Sequence, residues 1–307
     1  MAETFTVKLW GVRGSIPCPG RTTQKYGGNG ACIELRVGLE NRLVVIDAGS
    51  GIRALGNALM NADVPRGSLS LDLFLSHTHW DHIMGFPFFA PIYLPTTRMN
   101  VYGPVSYEEN SLEDVVGGQM KYRYFPVNVG ELSSHINYRS LQEISRLDMG
   151  RGLQLTTKYL NHPVSTLGYR FEYGGKVFCT CYDTEPFRNL FVTDRDDPEY
   201  DEMLAYEGEL VAAEQNRAIE SFFAGADVLI HDAQYTQQEY ETMRRDWGHS
   251  PIEHVIQAAE RAGVKRLVLF HHDPDRTDAQ LDLFSEKYCQ SLSMQVEFAR
   301  EGMQLDL

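Results

Sequence analysis

Short apolar runs separated by glycine, proline and polar clusters recur along the 307-residue chain. They read as many short strands with helices between them. Thr4–Trp10 alternates, with Phe5, Val7 and Leu9 on one face. Ala31–Val37 and Arg42–Ile46 follow as strands, then Asp47-Ala-Gly-Ser-Gly. A helix is predicted to begin near Ile52, with Ile52, Leu55 and Leu59 on one face, and Leu71–Leu75 reads as a buried strand. In the second half, Leu153–Leu160, Lys176–Tyr182, Ala226–Ile230 and Arg266–Phe270 are strand-like. Between the last two, Ser250 and Glu253 have the spacing of a capping box. Pro251 suits the first helical position, Ile252, Val255, Ile256 and Ala259 supply the apolar face, and Gly263 ends the helix. Residues 104–150 are less regular, with Gly117-Gly118 and an aromatic, basic run, Lys121-Tyr-Arg-Tyr-Phe-Pro126. That stretch reads as a flap over a site, a dimer contact, or an ordinary surface excursion around packed aromatics. No linker or repeat of solenoid period interrupts the chain, so residues 1–307 are expected to form one domain.

The strand ends carry the chemistry. Directly after Leu71–Leu75 comes Ser76-His-Thr-His-Trp-Asp-His82, with three histidines and an aspartate in six positions. Imidazole and carboxylate gathered this closely suit zinc and related divalent metals. Alternate spacing places His77 and His79 on one side, while Asp81 and His82 can reach a second point, so two neighbouring metals fit better than one. The later strands repeat the arrangement. His162 follows Leu153–Leu160, Asp183 follows Lys176–Tyr182, His231-Asp232 follows Ala226–Ile230, and His271-His272-Asp273 follows Arg266–Phe270. Strand tips are rigid supports for a site that needs tight geometry. His249 precedes the helix that starts near Pro251, and a helix N-terminus favours an anion such as phosphate.

Composition narrows the class. Hydrophobic residues are 43% and charged residues 23%, as in an ordinary globular protein. No signal peptide and no apolar run of membrane-spanning length is legible, so no membrane partner is expected. Five scattered cysteines, at 18, 32, 179, 181 and 289, are no disulfide framework and fit a reducing cytoplasm. Cys179 and Cys181 are read as small buried core residues. A net charge of −14 argues against an extended nucleic-acid partner, whose affinity rests on phosphate neutralisation.

His77-Thr-His79-Trp-Asp81-His82 matches the H-x-H-x-D-H signature of the metallo-β-lactamase fold, and the resemblance continues through Val44-Val-Ile-Asp-Ala-Gly49 and the ordered His162, Asp183 and His271. The resemblance implies an α+β, four-layer αββα sandwich with a metal site at one edge of its two β-sheets. It implies one metal on His77, His79 and His162, a second on Asp81, His82 and His271, Asp183 bridging, and Asp47 bracing the loop. His271 is preferred over the adjacent His272 because it directly follows the strand. Gly248-His249-Ser250, His231-Asp232-Ala233, Trp10–Pro17 and Tyr26-Gly-Gly-Asn29 resemble the superfamily's phosphodiesterase branch, which includes tRNA 3′-end-processing endonucleases and cyclic-nucleotide phosphodiesterases. By that resemblance His249 and Ser250 contact substrate phosphate, Asp232 orients His249, and relatives are commonly homodimers.

The expected activity is hydrolysis of a small phosphodiester, foremost a cyclic nucleotide such as a cyclic pyrimidine mononucleotide. The cofactors are two divalent ions, Zn²⁺ first and Mn²⁺ second, roughly 3.5–4 Å apart. Asp81 would hold or deprotonate the nucleophile, and His249 would protonate or stabilise the leaving oxygen. The rivals are a tRNA 3′-end-processing endoribonuclease, a hydrolase of thioester or lactam, and a non-hydrolytic di-iron protein.

Overall fold

In the computed structural model, residues 4–105, 111–290 and 293–307 are described. Two seven-stranded sheets pack face to face. The first half contributes β1 (Phe5–Gly11), β2 (Cys32–Val37), β3 (Arg42–Ile46), β4 (Ser70–Phe74), β5 (Arg98–Pro104), β6 (His135–Leu141) and β7 (Arg146–Asp148). The second contributes β8 (Gln154–Tyr159), β9 (Leu167–Tyr173), β10 (Lys176–Cys181), β11 (Val228–Asp232), β12 (Arg266–Phe270), β13 (Gln295–Phe298) and β14 (Gln304–Asp306). One sheet runs β14-β1-β2-β3-β4-β5-β6 and the other β13-β12-β11-β10-β9-β8-β7. The helices are α1 (Ile52–Ala62), α2 (Trp80–Ile83), α3 (Leu112–Gly118), α4 (Glu202–Phe222), α5 (Gln237–Glu239), α6 (Ile252–Arg261) and α7 (Asp278–Tyr288).

Each sheet is antiparallel on one side and parallel on the other. β3 to β6 pair in parallel, as do β10 to β13. The central parallel strands β11 and β12 carry apolar side chains on both faces, because one face meets the opposite sheet and the other meets helices. β1 alternates instead, with Phe5, Val7 and Leu9 buried. Between the sheets lie Leu9, Ile33, Phe74, Tyr169, Phe171, Phe178 and Phe270. Under α1, α2 and α3 lie Ile52, Leu55, Leu59, Ile83 and Val116, and under α6 and α7 lie Val255, Ala259 and Leu281. This is an αββα sandwich. Cys179 and Cys181 are fully buried in the layer under α6.

Of residues 104–150, 106–110 lie outside the described residues. His135–Leu141 pairs with β5 as a sheet edge, and Arg146–Asp148 pairs with β8. α3 and the run after it pack against α2: Gln119 Nε2 donates to the Ile83 carbonyl at 2.9 Å, and the Phe125 and Phe88 rings meet at 5.4 Å. Among the described residues no helix is long and apolar enough to cross a membrane.

One local expectation fails. Ser250 does not cap α6; its hydroxyl donates to the Thr184 carbonyl at 2.6 Å. Glu253 accepts from the Gln237 N–H and from the Tyr288 hydroxyl. Tertiary partners outbid the local box, and Pro251 in extended backbone sets the helix start. Gly263, at φ +66°, ends the helix as expected.

Candidate metal centre

Parallel strands aim their carboxyl ends at one edge, where such sheets gather ligand sites. Asp47 follows β3, Ser76 and the histidine loop follow β4, Asp183 follows β10, Asp232 ends β11 and His271 follows β12. Asp47, Asp183 and His271 all take positive φ, at 60°, 20° and 62°. Residues with a Cβ resist that region, and such strain collects where a side chain must be aimed.

Two groups of potential ligands result, His77, His79, His162 and Asp183, and Asp81, His82, Asp183 and His271. In the first, His79 Nδ1 lies 3.1 Å from His162 Nε2, and Asp183 Oδ2 lies 3.5 Å from His77 Nε2 and 3.9 Å from His162 Nε2. In the second, His82 Nε2 lies 3.2 Å from both Asp81 Oδ2 and His271 Nε2. Asp183 Oδ1 stands 3.2 Å from His271 Nε2 and 3.3 Å from His82 Nε2.

These residues fit a pair of divalent ions. A tetrahedral ion bonded at 2.0–2.1 Å spaces its ligand atoms about 3.3–3.4 Å apart, close to the separations here. His77 Nε2 and Asp183 Oδ1 are buried without hydrogen-bond partners, which a protein interior seldom tolerates. The electrostatics agree. Burial pushes His77, His79 and His162 down, His162 to about 4, so each offers a neutral lone pair. Burial would lift Asp81, but His82 and His271 outweigh it and hold the carboxyl far below its usual range. His82 is raised against its burial by Asp183, Asp81 and Asp47, so this point favours positive charge.

The outer nitrogens of several of these histidines are held in place. His82 Nδ1 lies 2.7 Å from Asp47 Oδ2, and Asp47 also accepts from the Ser76 N–H and hydroxyl at 2.6 and 2.8 Å. His162 Nδ1 donates to the Gly248 carbonyl at 2.9 Å. His272 points elsewhere: its Nε2 donates to the Ala299 carbonyl at 2.9 Å, and burial depresses it to about 3. Outer partners of this kind are worth roughly 10–100-fold in metal affinity. Asp47→Ala is therefore expected to weaken zinc binding by about that factor, read from a competitive chelator titration. Unchanged affinity would remove Asp47 from the support of His82.

A third group, Asp232, His249 and His271, adjoins the second. His249 Nδ1 lies 3.1 Å from Asp232 Oδ2, which leaves Nε2 as the nitrogen that can meet substrate. Burial alone would lower His249, but Asp232, then Asp183 and Asp81, lift it to about 9. Ser250 lies apart from that surface: its hydroxyl is given to Thr184 and its N–H to Asp232 Oδ2 at 3.0 Å. The Ile252 N–H donates to the Tyr235 carbonyl, so neither of these N–H groups at the helix start is left for an anion. Ser250 and the helix start were expected to meet phosphate; in the fold these two N–H groups bond the protein's own oxygens.

The opening Trp10–Pro17 segment supplies what residue type alone did not reveal. The Ser15 N–H, on a residue at φ 62°, donates to Asp81 Oδ2 at 2.8 Å. A Cβ on Gly14 would come within 2.4 Å of the His271 ring, and one on Gly248 within 2.2 Å of His162 Nδ1. Arg13 is wholly buried and ties the segment down through the carbonyls of Gly27, Asp273 and Arg276. The signals were the resemblance of the segment and its glycines, but neither names the Ser15 N–H, because a backbone donor has no residue type.

The family described as Beta-lactamase superfamily domain matches residues 199–272. The ribonuclease Z of Thermoplasma acidophilum is 25% identical over 314 aligned positions, covering 92% of this chain and 90% of that protein. The metallo-beta-lactamase fold protein YhfI of Bacillus subtilis shares a TM-score of 0.66 at 16% identity, over 99% of this chain and 100% of its own. Human tRNase Z, short form, gives 0.59 at 18% identity over 98% of each chain. The chain has the metallo-β-lactamase fold. Its similarity is to proteins of the phosphodiesterase and tRNA-processing branch of that fold, which are metal-dependent phosphodiester hydrolases.

These relatives overturn one expectation. Net charge argued against an extended nucleic-acid partner, yet the similar proteins are ribonucleases Z. Net charge is a sum over the whole surface, whereas contact with RNA is local. Lys121, Arg123, Arg244 and Arg245 all sit on segments that border the centre.

Proposed function

We propose that this protein is an endoribonuclease of the tRNA 3′-end-processing kind, cleaving a phosphodiester at the centre described above. The observation that carries it is the shared carboxylate of Asp183 between two ligand groups, with the Asp232-held His249 beside them. His77, His79, His162, Asp183, Asp81, His82 and His271 would hold a pair of zinc ions, which would supply Lewis-acid polarisation and a nucleophile at neutral pH. Asp81, fixed by the Ser15 N–H and held ionised, is too weak a base to take a proton readily, so its work is orientation. His249 is protonated at neutral pH and gives its Nε2 proton to the leaving oxygen, while Asp232 keeps the ring turned. A second copy of the chain is proposed to cover α4, whose Met203, Leu204, Tyr206, Leu210 and Val211 are exposed. The reducing cytoplasm is the proposed setting, since all five cysteines are free.

Hydrolysis of a cyclic nucleotide is the second reading, since the Asp183-centred ligand groups and His249 suit a phosphodiester of any size. One panel separates the two: zinc- or manganese-loaded protein with a 3′-extended tRNA precursor and with 3′,5′- and 2′,3′-cyclic nucleotides of all four bases. Cleavage of the precursor at a defined 3′ position is the expected result. Turnover of cyclic nucleotides with the precursor left intact would overturn it in favour of the second reading.

A further inference from the structure

The chain has three tryptophans. Trp10 is partly buried, and its indole N–H donates to Glu34 at 2.8 Å. The other two are exposed, Trp80 by 75% and Trp247 by 55%. Leaving an indole in water forfeits the burial that makes tryptophan useful to a core. Both stand at the edge of the metal centre. Trp80 lies between His79 and Asp81 at the start of α2. Trp247 precedes Gly248, whose carbonyl holds His162, and His249 follows. His79 and His162 are themselves 3.1 Å apart, so each tryptophan sits on a segment that supplies or holds one partner of that contact.

Asp246 and Gly248, on either side of Trp247, both take positive φ, at 65° and 78°. Asp246 is held there by its N–H to Glu185 and by Arg188 on its carboxylate, so the turn is fixed by polar contacts while the indole stays exposed. The Arg244 guanidinium lies 4.4 Å from the Trp247 ring centroid and 5.6 Å from that of Tyr235. On the Trp80 side, Phe88, Tyr122 and Tyr124 are also exposed, with Lys121 and Arg123 interleaved. Flat rings with cationic neighbours at the mouth of a phosphodiester-cleaving centre match the chemistry of unpaired nucleotides. Such bases stack on aromatic faces, and their phosphates meet the adjacent cations.

We propose that Trp80 and Trp247 are stacking platforms for single-stranded nucleotides on either side of the scissile phosphate, with Arg244 backing Trp247. The proposal rests on the ribonuclease reading of the centre. It accounts for RNA binding by a chain of net charge −14, since stacking is far less salt-dependent than phosphate neutralisation.

The test uses the metal-loaded full chain and a labelled eight-nucleotide single-stranded RNA whose phosphorothioate linkages resist hydrolysis, with binding read by anisotropy. Trp247→Ala and Trp80→Ala are each expected to weaken binding about 5–150-fold, the range for loss of one stacked base. Zinc content should stay unchanged. Trp247→Phe and Trp80→Phe should recover most of the loss, and leucine at either place should not, because leucine is apolar without a π-face. RNA binding that survives both alanine variants would overturn the proposal while leaving the cleavage reading intact. Loss of oligomeric mass on substitution, with RNA affinity unchanged, would assign the rings to a subunit contact and also overturn it. RNA bound through these rings without any cleavage of the tRNA precursor would uphold the platforms and refute the ribonuclease. No binding by the unmodified chain would refute the platforms, and the precursor assay would then judge the catalytic reading separately.

Discussion

His249→Ala will lower kcat by about 10²–10⁴-fold while the bound metal content stays unchanged. The magnitude follows from the work proposed for this imidazole, proton donation to a poor leaving oxygen. Its Nδ1 is occupied by Asp232 and only Nε2 can act. The pH profile supplies the sign. His249 is lifted to about 9, so its acid form is present below that pH and lost above it. The rate should therefore fall as pH rises through about 9. Asp232→Asn removes the carboxylate that does most of the raising. Burial then prevails, and the alkaline limb should move to lower pH. A His249→Ala enzyme that keeps an unaltered alkaline limb, or that loses its zinc, would end the role given to this residue.

Chelation should lower the melting temperature on the order of 10 °C. An ion bound at a thousand times its dissociation constant stabilises the fold by roughly 4 kcal/mol, and a chain of this size moves a few degrees per kcal/mol. The burden falls on Asp183, a buried carboxylate with one oxygen directed at each ligand group. Asp183→Asn should reduce bound metal below one per chain and bring hydrolysis near background. His77→Ala reaches only the first group and should spare part of the second ion. Elemental analysis of the purified variants, alongside thermal melts with and without chelator, checks each arm. An Asp183→Asn protein that still holds two ions would deny the bridging position.

Much of the sandwich was legible because its strands are short apolar runs cut by glycine and polar turns. Arg42–Ile46 and Arg266–Phe270 coincide with β3 and β12 to the residue. The rule that ligand residues follow strands was legible too, since His162, Asp183 and His271 each stand just past an apolar run. What escaped was whatever depends on partners distant in the chain. Ser250 and Glu253 have a capping pattern, but Thr184, Gln237 and Tyr288 claim their side chains. The Ser15 N–H is a backbone group and leaves no mark on residue type. The choice of His271 over His272 was legible from its place directly after the strand, and His272 turns instead to the Ala299 carbonyl. Net charge pointed away from the kind of protein this chain resembles because a few arginines and lysines near one edge weigh little in a total.

The two sides of the second ligand group are far apart in the chain: His82 and His271 meet across 189 positions. During synthesis at about 5–20 residues per second, roughly 10–40 s separate the appearance of the histidine loop from that of its last partner. For that interval the growing chain presents His77, His79, Asp81 and His82 as a half-built chelator. An incomplete set of nitrogen and oxygen ligands discriminates poorly and takes whatever ion binds most tightly, with copper ahead of zinc. An ion captured before β12 exists, and exchanged slowly afterwards, would bias which metal the finished protein carries. Protein produced in different media should carry different metals at an identical site.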